Sequence, residues 1–136
     1  MPQLKCLIVD DDELGRELII HYLDGVASCD TAVNGSQALQ MFSAALDGGS
    51  PYDLIILDLL MPEMDGYATG TAIRHVERER GISVTSGVNI IVVSSVNSPK
   101  EIIQAYLSAQ SAAHLTKPVR PDKLRKTLVA LELIGE

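Results

Sequence analysis

Short apolar runs alternate along the chain with longer stretches whose apolar residues recur at helical spacing. The runs occupy 4–9, 27–33, 54–57, 90–93 and 112–115, and the helical stretches occupy 13–24, 36–47, 65–80, 99–110 and 121–133. Strands that are apolar throughout and separated by helices are typical of a parallel sheet covered on both faces. The alternation therefore predicts a doubly wound α/β fold with five parallel strands and five helices.

Size and charge exclude several classes of protein. The chain has 136 residues, of which 46% are hydrophobic, so we expect one domain across 1–136 with an ordinary core. Its net charge of −7 argues against direct nucleic-acid binding, which needs clustered Lys and Arg. We find no signal peptide and no apolar run long enough for a membrane span. These features predict a cytoplasmic domain, in which Cys6 and Cys29 are expected to be free thiols.

Polar side chains follow four of the apolar runs at their carboxyl-terminal ends. Asp10 and Asp11 follow the first run, Asp58 the third, Ser94 the fourth and Lys117 the fifth. Because the carboxyl ends of parallel strands share one edge of a sheet, we expect these groups to form one site. Clustered carboxylates repel each other, and Mg²⁺, which prefers oxygen ligands, would keep them ionised. A carboxylate beside Mg²⁺ can act as a nucleophile towards a phosphoryl group.

The segments LIVDDDE, YDLIILDLLMPEMDG, IIVVSS and HLTKP, in this order and spacing, resemble the receiver domain of two-component response regulators. The resemblance covers nearly the whole chain. It implies a CheY-like fold of the flavodoxin type, with strand order 2-1-3-4-5. It also implies that Asp58 accepts a phosphoryl group from a sensor histidine kinase or a histidine phosphotransfer protein. Such a domain is a signalling switch that catalyses at most its own phosphorylation and dephosphorylation.

The resemblance also implies a role for each of the other site residues. Asp10 and Asp11 would hold Mg²⁺ together with Asp58 and the backbone carbonyl of Leu60. Three further residues would respond to the phosphoryl group: the switch hydroxyl of Ser94, the ammonium of Lys117 before a cis proline, and His114 at the rotameric switch position. The fourth helix, fifth strand and fifth helix would then present a changed face to a downstream effector or to a second copy in a homodimer.

The sequence departs from the family pattern at Gln110, in the segment 78–89, and at Leu60 and Val96. Gln110 stands where the family often has a glycine after the fourth helix, and the polar segment 78–89 is long for a connection and is expected to be a surface excursion. Leu60 and Val96 are apolar at positions that often tune the lifetime of the phosphoryl group. With no polar side chain there to orient an attacking water, we expect autodephosphorylation to be slow.

Other functions remain open at this point. A degenerate receiver would bind partners without being phosphorylated, and His114 would then be an ordinary packing residue. A Mg²⁺-dependent aspartyl-phosphate phosphatase normally carries a second aspartate at the position of Leu60, which counts against that class. A flavodoxin-type binding module is disfavoured because Asp10, Asp11 and Asp12 would repel a phosphate after the first strand.

Overall fold

The computed structural model describes residues 3–61, 64–83, 85–95 and 98–135, in which strands and helices alternate. The strands are β1 (Leu4–Val9), β2 (Ala27–Ala32), β3 (Leu54–Asp58), β4 (Asn89–Ser94) and β5 (Ala113–Thr116). The helices are α1 (Glu13–Tyr22), α2 (Gly35–Asp47), α3 (Gly66–Glu79), α4 (Pro99–Ala109) and α5 (Pro121–Ala130). None of these described helices is long and apolar enough to cross a membrane.

The five strands form one sheet in the order β2-β1-β3-β4-β5, and every neighbouring pair is parallel. The predicted doubly wound fold and its strand order are therefore confirmed. The register aligns the carboxyl ends of the strands, with Asp58 beside Val93 and Ser94 beside Thr116. Because β1 and β3 are neighbours, the chain crosses over β1 between β2 and β3, and sheets of this kind bind ligands at such a crossover.

Side chains of the central strands alternate between two hydrophobic clusters, one on each face of the sheet. Leu7 and Val9 belong to the cluster under α2, α3 and α4, whereas Cys6 and Ile8 belong to the cluster under α1 and α5. Cys6 and Cys29 are free thiols, as expected. Full burial of a large aliphatic side chain stabilises a fold by about 1.5–3 kcal/mol. The central strands therefore hold the residues at their carboxyl ends in fixed positions.

Helix α4 ends at a left-handed residue that is not glycine. Gln110 has φ 50 and ψ 51. From α3, Arg74 donates its Nε hydrogen to the carbonyl of Ala109 at 2.8 Å and an Nη2 hydrogen to the carbonyl of Gln110 at 3.0 Å. The guanidinium thus binds carbonyl groups that a helix end leaves without intrahelical partners. A side chain of α3 therefore stabilises the end of α4.

Glu77 connects Arg74 to the segment between α3 and β4. Arg74 Nη1 lies 2.8 Å from Glu77 Oε1, with both side chains buried, and the backbone N–H of Val88 donates to Glu77 Oε2 at 2.7 Å. A Cβ atom on Gly87 would lie 2.6 Å from Glu77 Oε1, so any side chain at this position would have to displace the Glu77 carboxylate from its contact with Arg74. The segment 78–89 begins with the end of α3, and its far end is anchored on a buried ion pair.

Candidate functional site

The sequence-predicted site residues lie at the carboxyl ends of β1, β3, β4 and β5. Asp10 directly follows β1, Asp58 is the last residue of β3, Ser94 is the last residue of β4, and Lys117 directly follows β5. The first three are buried at 6%, 5% and 0% exposure, although all stand at a sheet edge. The structure therefore brings together residues that are far apart in the sequence.

Three carboxylates form the centre of the site. Asp10, Asp11 and Asp58 each present an oxygen atom, and these atoms all lie within 4.8 Å of one another. Asp10 and Asp58 are buried, whereas Asp11 is exposed. An oxygen-only set with one side open to solvent fits a hard divalent cation such as Mg²⁺, which keeps part of its water shell. The charge of such an ion would also offset the repulsion among the carboxylates.

Lys117 places its ammonium between two of these carboxylates. Its Nζ atom lies 3.0 Å from Asp10 Oδ2 and 3.4 Å from Asp58 Oδ2. The backbone N–H of Lys117 donates to the carbonyl of Ser94 at 2.9 Å, and the Lys117–Pro118 bond is cis, as the resemblance implied. Burial lowers the pKa of Lys117, but the hydrogen bond to Asp10 and the two negative charges outweigh it, so the pKa is raised. The side chain therefore remains a cation at neutral pH.

The surroundings of the Asp58 carboxyl group also shift its pKa. Burial is the main cause that raises its pKa to about 6, and the charge of Asp10 adds to the effect. The Lys117 ammonium and the backbone N–H of Leu60, which donates to Asp58 Oδ1 at 3.3 Å, act in the opposite direction. An ionised Asp58 is therefore held in an unfavourable environment, which a bound cation would relieve.

The backbone after Asp58 packs tightly against the start of α3. A Cβ atom on Gly66 would lie 2.4 Å from the carbonyl oxygen of Asp58 and 2.6 Å from the Cα atom of Leu59, so only glycine fits. Asp65 caps α3, because its side chain accepts a hydrogen bond from the N–H of Ala68 at 2.9 Å. The side chain of Leu60 is 57% exposed at the rim of the site.

Two residues near Asp10 shape the first loop. The backbone N–H of Asp12 donates to Asp10 Oδ1 at 2.9 Å, while the Asp12 side chain caps α1 by accepting from the N–H of Gly15. Asp12 is thus a capping residue outside the carboxylate cluster. Arg16, which the sequence does not single out, donates from Nη1 to the carbonyl oxygen of Asp10 at 2.9 Å. No motif in the sequence marks this contact, because it depends on how α1 packs beside β1.

The proposed switch residues lie on the side of the site nearer α4. The hydroxyl of Ser94 donates to Glu101 Oε1 at 3.3 Å. His114 lies on β5 beside Val92, and its two ring nitrogens are buried without a hydrogen-bond partner among the described residues. His114 is not among the clustered carboxylates and Lys117. Val96, one of the two apolar positions noted in the sequence, lies outside the described residues.

The profile for the response regulator receiver domain matches residues 6–129. The chain belongs to the response regulator receiver family. Receiver domains of this family serve two-component signalling and are not classical enzymes.

Individual receiver proteins resemble the chain over most of its length. The two-component response regulator ARR22 of Arabidopsis thaliana is 36% identical over 124 residues, which are 89% of this chain and 78% of that protein. The two-component response regulator ORR41 of Oryza sativa subsp. japonica is 31% identical, over 96% of this chain and 95% of that protein.

A solved structure gives the same fold with a metal ion present. The receiver domain of the histidine kinase CKI1 from Arabidopsis thaliana, complexed with Mg²⁺ and BeF₃⁻, superposes with a TM-score of 0.80. It is 28% identical in sequence, and the match covers 96% of this chain and 91% of that one. That receiver domain thus binds Mg²⁺, and the present chain carries a cluster of three carboxylates that could hold a metal ion.

Proposed function

We propose that this receiver domain accepts a phosphoryl group on Asp58 from a phosphohistidine of a sensor histidine kinase or a histidine phosphotransfer protein. The observation that carries the proposal is the position of the Lys117 ammonium, 3.4 Å from Asp58 Oδ2. The Asp58 carboxylate is at the same time clustered with those of Asp10 and Asp11. A cation on one side and an acidic metal-binding cluster on the other suit a carboxylate that takes up a dianionic phosphoryl group.

In this proposal Asp10, Asp11 and Asp58 would hold Mg²⁺ through side-chain oxygens, and Leu60 would do so through its backbone carbonyl. The cluster fits the ion because it offers only oxygen ligands and because burial makes an ionised Asp58 costly without a counter-charge. When bound, Mg²⁺ supplies positive charge that offsets the charge on the transferring phosphoryl oxygens.

The transfer exchanges one bond to phosphorus for another. A carboxylate oxygen of Asp58 attacks the phosphorus atom, the bond from phosphorus to the donor histidine nitrogen breaks, and that nitrogen retains the electron pair and is protonated by solvent. The product is an acyl phosphate on Asp58. Lys117 contacts phosphoryl oxygens with its ammonium and holds the group in position for in-line transfer. These residues position and neutralise the group, and none of them needs to donate a proton to it.

The phosphorylated domain then changes the face formed by α4, β5 and α5. Ser94 moves towards the phosphoryl group, and His114 turns into the space that Ser94 leaves, which shifts the population between two packings. On α4, the side chains of Ile103, Tyr106 and Leu107 are exposed at 58%, 63% and 72%. An apolar surface of this kind suits a downstream effector or a second copy of the chain.

Labelling with acetyl phosphate in Mg²⁺ buffer tests the proposal. We expect wild-type protein to gain one acid-stable, alkali-labile phosphoryl group, and Asp58→Asn to gain none. Asp122→Asn is the control, because Asp122 is an exposed acid on α5 outside the site. The alternative of a degenerate receiver predicts no labelling of the wild type, and full labelling of Asp58→Asn would place the acceptor elsewhere.

A further inference from the structure

The first turn of α4 contacts the proposed switch hydroxyl through Glu101. The hydroxyl of Ser94, which is fully buried, donates to Glu101 Oε1 at 3.3 Å. Ser98-Pro99-Lys100-Glu101 has the spacing of a capping box, and Ser98 Oγ accepts from the backbone N–H of Glu101 at 3.2 Å. The Glu101 side chain thus connects β4 to the start of α4, in addition to its place in the first helical turn.

Tyr67, in the first turn of α3, is close enough to Glu101 for the charge of that carboxylate to act on it. Burial is the main cause that raises the pKa of Tyr67, and the negative charges of Glu101 and Asp65 raise it further. Tyr67 directly follows Gly66, whose backbone packs on Asp58. Glu101 therefore connects the start of α4 to the end of β4 by a hydrogen bond, and its charge also acts on the start of α3.

The opposite end of α4 is fixed more firmly. A Cβ atom on Gly70 of α3 would lie 2.2 Å from the Cβ atom of Ala109, so the two helices are in close contact there. Arg74 binds the carbonyl groups of Ala109 and Gln110, and its own charge is paired with Glu77. By comparison, the 3.3 Å contact of Ser94 with Glu101 is long for an O–H···O hydrogen bond. Displacement of α4 is therefore easier at its N-terminal end.

We propose that Glu101 is a positioning residue that holds the Ser94 hydroxyl, and with it the N-terminal end of α4, in the arrangement of the unphosphorylated domain. This inference rests on the function proposed above for Asp58. A phosphoryl group on Asp58 competes for the Ser94 hydroxyl as an acceptor. Once Ser94 has turned to it, the Glu101 carboxylate loses that hydrogen bond and faces a like charge. The first turn of α4 is then released and moves relative to the end that Arg74 holds.

A phosphoryl analogue that binds at Asp58 must displace the hydrogen bond between Ser94 and Glu101. The apparent affinity of a ligand equals its intrinsic affinity multiplied by the fraction of protein that is in the binding-competent state. Removal of the Glu101 carboxylate should therefore strengthen binding of an analogue, but only when Ser94 is present to respond. A residue that served only to start the helix would not show this dependence on Ser94.

Calorimetric titration of beryllofluoride into the full chain in Mg²⁺ buffer tests the proposal. Four proteins are compared: wild type, Glu101→Ala, Ser94→Ala and the double variant. Asp122→Ala is the matched control, because Asp122 is also an acid in the first turn of a helix but lies on α5. We expect Glu101→Ala to bind about two- to tenfold more tightly than wild type, the range that one net hydrogen bond supports. We expect Asp122→Ala to bind as wild type does.

The Ser94→Ala background separates positioning from a simple charge effect. We expect Glu101→Ala to leave the affinity unchanged when Ser94 is already alanine. An equal gain in both backgrounds would show that Glu101 acts through its charge alone and would overturn the proposal, as would no gain in either. If the wild-type chain binds the analogue and Glu101→Ala does not differ from it, only this inference fails. If the wild-type chain does not bind the analogue, the function proposed for Asp58 fails, and this inference fails with it.

Discussion

The Nζ atom of Lys117 lies 3.4 Å from the Oδ2 atom of Asp58, although β4 separates their strands in the sheet. The lysine side chain therefore crosses the carboxyl end of β4 to reach the acid. Asp58 at the end of β3 and Lys117 after β5 therefore lie on opposite sides of Ser94, the last residue of β4. We propose that the phosphoryl group binds between the Asp58 carboxylate and the Lys117 ammonium.

The raised pKa of Asp58 predicts an unusual dependence of stability on pH. The pKa is about 6 in the folded protein and ordinarily 3.8, so folding favours the protonated form. Metal-free wild type should lose stability as the pH rises through this interval. Asp58→Asn resembles the protonated form, and its melting temperature at pH 8 in EDTA should exceed that of wild type by several degrees. The gain should vanish near pH 4, where wild-type Asp58 is also largely protonated.

Differential scanning calorimetry at the two pH values measures this effect. Asp122→Asn, an exposed acid away from the cluster, provides the baseline for removal of one negative charge. A gain for Asp58→Asn that is equal at pH 4 and pH 8 would contradict the prediction, because it could not arise from ionisation of this carboxyl group.

Removal of a proposed metal ligand should weaken Mg²⁺ binding without damage to the fold. Asp11 is exposed, so Asp11→Asn should cost little stability but should lower Mg²⁺ affinity by about tenfold or more, since affinity depends on the charge of the ligand set. Asp12→Asn is a close control, because asparagine also caps helices well and Asp12 caps α1. The stabilisation by Mg²⁺ in a thermal unfolding series reports the affinity. Equal weakening in both variants would contradict the assignment.

The lifetime of the phosphoryl group should depend on Leu60. Its side chain is apolar and 57% exposed at the rim of the site, so it offers no polar atom to orient an attacking water. We expect the acyl phosphate to hydrolyse slowly in wild type and several-fold faster in Leu60→Gln. Leu107→Gln, an exposed apolar position on α4, should behave as wild type does. Phosphate release from isolated phosphorylated protein measures the rate, and a half-life of only seconds for wild type would contradict the prediction.

Removal of one partner from the buried ion pair of Arg74 and Glu77 should strongly destabilise the protein. Arg74→Met leaves a buried carboxylate without its counter-charge and removes two hydrogen bonds to the end of α4, which should cost about 3–5 kcal/mol. Arg78→Met, on the exposed side of α3, should cost less than about 1 kcal/mol. Urea unfolding gives both values. The cost of Arg74→Met with Glu77→Gln should be smaller than the sum of the single costs, and strict additivity would contradict direct coupling.

The sequence predicted the fold and the convergence of the strand-end residues because both follow from simple patterns. Apolar runs separated by helical periods lead to a parallel sheet, and parallel strands bring their carboxyl ends to one edge. The prediction was less accurate for the end of the last helix, which was expected at residue 133, whereas α5 ends at Ala130. Leu131, Leu133 and Ile134 lie beyond the helix but still pack on the hydrophobic cluster, so the apolar pattern continues after the helix has stopped.

Contacts that depend on tertiary packing were not predictable from the sequence. Arg74 and Glu77 have the spacing of an ordinary surface pair on a helix, and only the connection that ends at Val88 and the end of α4 bury them. Glu101 has the spacing of a helix-capping acid, yet its carboxylate also reaches Ser94. In both cases the local pattern was visible in the sequence, but its partner belonged to another element.

Direct location of the phosphoryl group in the wild-type chain tests the central proposal. Protein treated with acetyl phosphate in Mg²⁺ buffer is reduced with borohydride, which converts a phosphorylated aspartate to homoserine, and tandem mass spectrometry then locates the changed residue. We expect homoserine at position 58, dependent on both acetyl phosphate and Mg²⁺. Homoserine at Asp10 or Asp11 instead, or its absence from every aspartate position, would contradict the account.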